Sequence, residues 1–150
     1  MIFLLTHSKS GKGFTAIELL ITISIIAVVA LFTIGNGVDT NARADLASDY
    51  TTLLQLLTHA RNEAMNNVNQ APHGVHINAS SFTLFEGATY VAGAPGNQMT
   101  ARNTSVAVSG PTDIVFEQLS GRATPASGSI VLSKAAYTRS ITVNVEGRLD

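Results

Sequence analysis

The chain has 150 residues, 45% of them hydrophobic and only 13% charged, with a net charge of −1 and no cysteine. The length fits one domain with an appendage; the charge argues against a nucleic-acid footprint over the whole chain; the missing thiols exclude a disulfide framework and a thiolate metal site. Redox compartment stays open, since a cysteine-free chain is stable in either setting.

The first 13 residues hold Lys9 and Lys12 and no acid, so the remainder carries −3 against −1 for the whole. From Phe14 to Ile34 the chain is apolar, with Glu18 its one charged residue and no internal Gly or Pro. At about 1.5 Å per residue such a helix spans roughly 31 Å, close to the hydrocarbon thickness of a bilayer. The β-branched residues do not prevent a helix in lipid, where the backbone has no water to turn to. A buried soluble helix would instead need the residues after Gly37 to enclose an element apolar all round. The lysines precede the run and Asp39, Arg43, Asp45 and Asp49 follow it. The positive-inside rule then puts the N-terminus in the cytoplasm and the bulk of the chain outside. A secretory signal peptide competes, but its apolar stretch is usually shorter, and "ALFTIGNG" offers no convincing small-x-small cleavage site. Glu18 is either a pairing group or a tolerated interfacial acid; near the helix start its burial is cheaper than at mid-bilayer, and the first turn favours negative charge.

Gly35, Asn36 and Gly37 predict a bend or an end to this helix, because Gly weakens a helix by roughly 1 kcal/mol relative to Ala. Helical period resumes with Leu46, Tyr50, Leu53, Leu54, Leu57, Ala60, Arg61, Ala64, Met65 and Val68, while Asp45, Asp49, Gln55, His59 and Asn62 fall mostly off the stripe. That stripe should pack on a sheet. "NNVNQAP" ends the helix through Asn as a C-cap and Pro72 as a breaker.

The rest reads as β. Val75 and Ile77 alternate, as do Phe82 and Leu84; "TSVAV", "DIVFEQL" and "GSIVLS" are short β-branched runs; "RSITVNV" puts Ile141, Val143 and Val145 on one face. Turn signals separate them at "GAPGN", "SGPTD", "SGRATPASG" and Glu146-Gly147. Strands gathered after one long helix predict an α+β fold with an antiparallel sheet. The segment from Ala88 to Arg102 shows no pattern that places it.

No motif points to catalysis, and no cofactor is expected. His73 and His76 form an HxxH at a loop-to-strand start, without the third ligand a zinc site needs; His7 lies in the leader and His59 on a helix. There is no GxSxG, and "GAPGN" lacks the Lys and Ser/Thr of a phosphate loop. No clustered acidic loop suggests calcium. Asn78-Ala79-Ser80 and Asn103-Thr104-Ser105 fit the glycosylation tripeptide, a pattern common by chance.

The stretch "KGFTAIELL" resembles the prepilin signature of type IV pilin-like proteins: a basic leader ending in Gly, then Phe, then Glu at the fifth mature position, then an apolar helix. The resemblance implies cleavage between Gly13 and Phe14 by a prepilin peptidase, N-methylation of Phe14, and pairing of Glu18 with the N-terminal amine of a neighbouring subunit. Physically the pairing is coherent. An α-amine with a pKa of about 7.7–8.0 is largely cationic at neutral pH, and in a low-dielectric setting each charge offsets the other's desolvation. "ARNEAMNN", "FEQLSGRATPASGSIVLS" and "ITVNVEGRLD" are further similar to the GspH/FimT group of minor pilin-like proteins, matching at Ala60, Arg61, Glu63 and Ala64, at Phe116, Gly121 and Arg122, and at Gly147 and Arg148. Plain turn chemistry also accounts for both Gly-Arg pairs.

The resemblance implies a pilin-like α+β fold. Residues 1–13 are a cleaved leader, 14–34 a transmembrane and filament-core helix, 35–71 a bend and amphipathic helix, and 72–150 a β-rich globular domain packed on it. It implies a non-enzymatic minor pseudopilin of type II secretion, held in the inner membrane with its C-terminal domain periplasmic, whose partners are the prepilin peptidase, the other pilin-like subunits and the membrane. Arg122 and Arg148 are candidate surface contacts. A FimT-like minor pilin of a type IV pilus is the alternative within the class, and an uncleaved single-pass binding module the alternative outside it. Some FimT-type members serve DNA uptake through a basic C-terminal Gly-Arg motif. Here Arg148 is followed by Asp150 and the terminal carboxylate, a poor setting for phosphate, so nucleic acid is not an expected partner.

Overall fold

The computed structural model describes residues 13–150, without the side chains of residues 32–39. The leader residues 1–12, with His7, Lys9 and Lys12, lie outside the described residues. The fold is α+β, with every sheet antiparallel. One helix, α1 (Ala16–Met65), is followed by a 3-10 turn (Val68–Gln70) and eight strands. The chain divides into two compact units, one ending at Asp39 and one running Thr40–Asp150.

In the first unit α1 is apolar on every described side. Ile17, Leu20, Ile23, Ile26 and Leu31 are all more than half exposed. Its hydroxyls turn onto the helix itself: Thr22 Oγ1 donates to the Leu19 carbonyl at 2.9 Å and Ser24 Oγ to that of Leu20 at 2.7 Å. Of the two outcomes the glycines predicted, a bend or an end, the structure excludes the end: the helix carries through Gly35-Asn36-Gly37.

The second unit holds the core. On α1 the buried positions are Ala42, Leu46, Asp49, Leu53, Leu57, Ala60 and Ala64, a three- and four-residue rhythm that defines one face. This corrects the sequence reading in two respects. Asp49 lies on the stripe, and Met65 and Val68, assigned to it, are exposed at its end. The helix stops at Met65, and Asn67 follows in the left-handed region (φ 56), a conformation Asn tolerates better than most residues.

Two sheets complete the unit. The first has the order β3 (Gln98–Ala101), β2 (Ser81–Glu86), β1 (His73–Ile77), β5 (Asp113–Phe116), β6 (Ala123–Thr124); the second has β4 (Ala107–Ser109), β7 (Gly128–Lys134), β8 (Tyr137–Val143). Alternation delivers Val75, Ile77, Phe82, Leu84, Ile114, Phe116, Ile130, Leu132, Ile141 and Val143 to one cluster with the helix stripe. Val145, expected on that face, lies beyond the end of β8 and is exposed. The segment without a pattern forms a loop after β2, then the edge strand β3. The loop brings Tyr90 edge-on to Phe85, ring centroids 5.6 Å apart, so β2 is buried on both faces.

Candidate functional site

The N-terminal signature residues are open to solvent. A Cβ built on Gly13 would meet nothing within 4 Å, and Phe14 is 80% exposed. Thr15 caps α1: its carbonyl accepts from the backbone N–H groups of Glu18 (3.1 Å) and Leu19 (3.2 Å), and its Oγ1 lies 3.4 Å from the Glu18 nitrogen. Thr15-x-x-Glu18 is the spacing of a capping box, a signal present in the sequence that the reading above did not use. Glu18 is exposed in the first turn of the helix, where its charge complements the helix dipole. Among the described residues no ion pair involves it. Among those same residues no helix is long and apolar enough to cross a membrane, the described side chains of the apolar stretch ending at Leu31.

In the second unit the residues of the Gly-Arg pairs meet. Gly121 and Gly147 both have positive φ, +65° and +72°. A Cβ on Gly147 would sit 1.9 Å from the Gly121 carbonyl oxygen and 3.0 Å from Arg61 Nε; one on Gly121 would sit 2.6 Å from Met65 Cγ. Glycine is therefore required twice, by conformation and by space. Three pieces of chain converge. The Leu119 N–H donates to the Ala64 carbonyl at 2.9 Å, at the end of α1; the Ala123 N–H donates to the Val145 carbonyl at 3.2 Å; and Arg61 Nη2 lies 3.4 Å from the Glu146 carbonyl. Arg61 thus bridges the helix to the C-terminal turn. That turn is closed by the Gly147 N–H on the Asn144 carbonyl (2.9 Å) and the Arg148 N–H on Asn144 Oδ1 (2.8 Å).

Arg122 and Arg148 flank this contact with exposed side chains, and Arg148 Nε lies 3.1 Å from Asp150 Oδ1. Beside Arg122, Ser120 Oγ donates to Glu117 Oε2 at 3.2 Å and accepts from the Arg122 N–H at 3.3 Å, so the corner mixes cations with an acid and a hydroxyl. The two HxxH histidines diverge, as residues three apart on a strand must. Buried His73 places Nε2 3.1 Å from the Val68 carbonyl and Nδ1 3.3 Å from Glu63 Oε2. His76 places Nδ1 2.8 Å from Asp113 Oδ1 and stacks on Tyr90 at 3.9 Å. Among the described residues no three His, Asp or Glu side chains are grouped to hold a metal ion.

Two further groupings escaped the sequence reading. Asp49 and Arg102, far apart in the chain, form a buried ion pair with Nε to Oδ2 at 3.6 Å, and Asp49 Oδ1 accepts from the Asn103 N–H at 3.1 Å. Arg43, Tyr50, Tyr137 and Arg139 interleave, each guanidinium over a tyrosine ring. Neither has a local signature, since each depends on strands returning to the helix. No protein-family model and no solved structure matches the chain.

Proposed function

We propose that this protein is a non-enzymatic, membrane-anchored filament subunit, a pilin-like minor pseudopilin of the type II secretion class. The observation that carries the reading is the N-terminal arrangement: an open Gly13-Phe14 step, a capped helix start with Glu18 in its first turn, and a following helix apolar on every described side. A helix with this surface needs lipid or other apolar helices around it. The hydroxyls of Thr22 and Ser24, already bonded to their own helix, suit both surroundings.

In this reading the prepilin peptidase removes Met1 to Gly13, Phe14 is exposed and N-methylated, and the helix from Phe14 first anchors the chain in the inner membrane. Assembly exchanges lipid for the helices of other subunits. The new N-terminal cation of one subunit meets Glu18 of another, while the β-rich domain faces outward. The Gly121–Gly147 corner fixes the end of the amphipathic helix relative to the C-terminal turn and presents Arg122 and Arg148 to neighbouring subunits. The Arg148–Asp150 pair weakens the case for DNA as the ligand of that turn.

Intact-mass spectrometry of the protein purified from membranes tests the reading. The expected species lacks Met1 to Gly13 and carries one added methyl group on Phe14. An unbroken Gly13–Phe14 bond in cells overturns the proposal and leaves an uncleaved anchor in its place.

A further inference from the structure

Strand β8 stands at one end of its sheet, and part of its outer edge is already occupied. The Thr142 N–H donates to the Asp150 carbonyl at 2.8 Å, the Asp150 N–H donates to the Thr142 carbonyl at 2.9 Å, and the Asn144 N–H donates to the Arg148 carbonyl at 3.0 Å. Residues 148–150 thus run antiparallel beside the end of β8, with Leu149 opposite Val143 and packed against the core. In an antiparallel ladder each residue turns both of its main-chain groups to one side, and the side alternates along the strand. Thr142 faces outward, so Ser140 and Thr138 do as well, while Tyr137, Arg139 and Ile141 face their partners on β7. Among the described residues no main-chain group meets the outward N–H and C=O groups of Ser140 and Thr138, and both residues are exposed.

Proteins usually blunt an open edge. The other strands at sheet ends are short: β3 has four residues, β4 three and β6 two. β8 has seven, with no Pro, Gly or Lys among them. Its one charge is Arg139, on the same face as buried Ile141 and Val143. Arg139 is exposed, lies over the Tyr50 ring at 5.1 Å from its centroid, and makes no ion pair among the described residues. That charge discriminates between occupants of the edge. Two copies of β8 can use the outward groups of both Ser140 and Thr138 only in the register that sets Thr138 opposite Ser140. The same register sets Arg139 directly opposite Arg139. Like charges at a cross-strand position are destabilising, whereas an acid there is attracted. A register shifted toward Thr142 is closed by Asp150.

We infer that the free part of the β8 edge binds an extended segment of another protein as an added antiparallel strand. The segment carries an apolar residue opposite Ile141, as Leu149 lies opposite Val143, and an acidic residue two positions on, opposite Arg139. Opposite Ser140 and Thr138 it carries Thr or other residues that favour strands, and its own main chain supplies the missing donors and acceptors. Arg139 thus selects an acid-bearing partner and opposes pairing between copies of this chain. The site lies wholly within the second unit and does not rest on the filament reading, since an uncleaved anchored chain would carry it equally.

The test uses the full chain in neutral detergent micelles at low ionic strength, with the backbone amides followed by NMR. The probe is the capped peptide acetyl-Val-Thr-Glu-Thr-Val-amide. Its controls are the same peptide with Lys in place of Glu, and one N-methylated at the Thr between Val and Glu, which removes the donor to Ser140. Without peptide, the Ser140 and Thr138 amides should exchange with solvent faster than the Thr142 amide. The Glu peptide should shift both amides saturably and slow their exchange. Its half-saturating concentration should lie below that of the Lys peptide by about threefold or more, and the N-methylated peptide should not saturate. In Arg139→Glu the preference between the Glu and Lys peptides should invert, with circular dichroism checking the fold. No saturable shift with the Glu peptide, or equal binding by the N-methylated one, overturns the added strand. A smaller difference between the Glu and Lys peptides, or a preference that survives Arg139→Glu, overturns the acidic partner. So does protection of Ser140 and Thr138 that needs no peptide and grows with protein concentration, because a second copy is then the occupant.

Discussion

Arg102→Met is the substitution whose consequence follows most directly from the packing. Arg102 and Asp49 have side chains only 4% and 7% exposed, and Nε and Oδ2 lie 3.6 Å apart. Neither of those two atoms has a hydrogen-bond partner, so across that gap the pair is held by charge alone. With an effective dielectric of about 20, the attraction at this distance is about 4–5 kcal/mol, set against the desolvation of both ions. The guanidinium also donates to the carbonyls of Asn78 (3.0 Å) and Val106, and Asp49 Oδ1 accepts from the Asn103 N–H at 3.1 Å. Removing Arg102 leaves Asp49 as a buried charge with one backbone donor, at an expected loss of about 3–5 kcal/mol. Asp49→Asn keeps an acceptor for Asn103 and should lose less, about 1–3 kcal/mol. The double variant removes both charges, so it should be more stable than Arg102→Met alone, by about 2 kcal/mol. The two carbonyls lose their donor in both cases and cancel from that comparison. Urea unfolding of the full chain in detergent reads these values. Near-UV circular dichroism reports on the three tyrosines, all in the second unit, with no tryptophan to complicate the signal. Additivity of the two single substitutions to within about 0.5 kcal/mol would refute the coupling. So would a loss below about 1 kcal/mol for Arg102→Met, since a pair that cheap to break is solvated.

Gly147→Ala should destabilise the second unit by more than the roughly 1–2 kcal/mol of a left-handed Ala, because its Cβ also collides with the Gly121 carbonyl; the same urea titration measures it, and a neutral result would mean the corner is not packed as described. Ala135→Gly should stabilise by about 0.5–1 kcal/mol, since Ala135 holds φ 53 as the first residue of the two-residue β7–β8 turn, a position suited to glycine; an unchanged or lowered unfolding midpoint contradicts this. Glu18→Ala should leave cleavage at Gly13–Phe14 intact and abolish incorporation into filaments, read by immunoblot of membrane and sheared-filament fractions; normal incorporation removes the pairing role. Glu18→Gln separates charge from capping: loss of assembly with an unchanged helix content by circular dichroism assigns the effect to the charge.

What was legible in the sequence was what short-range periodicity encodes. The helix stripe and the strands around Val75, Phe82, Ile114, Ile130 and Ile141 announce themselves because burial repeats with the period of the backbone. The register of the stripe was read one position off at Asp49. A carboxylate at a buried step contradicts the apolar pattern unless its partner is known, and that partner, Arg102, lies in the segment with no pattern of its own. The strands β3 and β6 were invisible for a related reason. "QMTA" is an edge strand with mostly exposed side chains, and "AT" is two residues long, so neither carries the alternation that burial on one face imposes. At the candidate site, Gly121, Arg122, Gly147 and Arg148 could be named, but not their contact. The two glycines are brought together by strands β6 to β8, and the local sequence states only that each can adopt positive φ.

The capping geometry bears on what Glu18 can do. In the first turn its backbone N–H is engaged with Thr15, so the helix start is secured through the main chain. The carboxylate contributes through the dipole, an effect of about 0.3–1 kcal/mol that any acid in this turn would supply. That is small beside the several kcal/mol of leaving a carboxylate unpaired in an apolar environment, even discounted for its place at the edge of the run. Capping alone therefore does not account for an acid at this position if the helix lives in hydrocarbon. A cation brought to it does, and under the proposed function that cation is the amine that cleavage would release at Phe14, four residues away in its own chain and one stagger away in a neighbour's. On one helix the Phe14 amine precedes the capped turn, whereas a second helix shifted along the axis can set its N-terminus beside Glu18 without disturbing that turn. The charge logic thus favours pairing between chains over pairing within one.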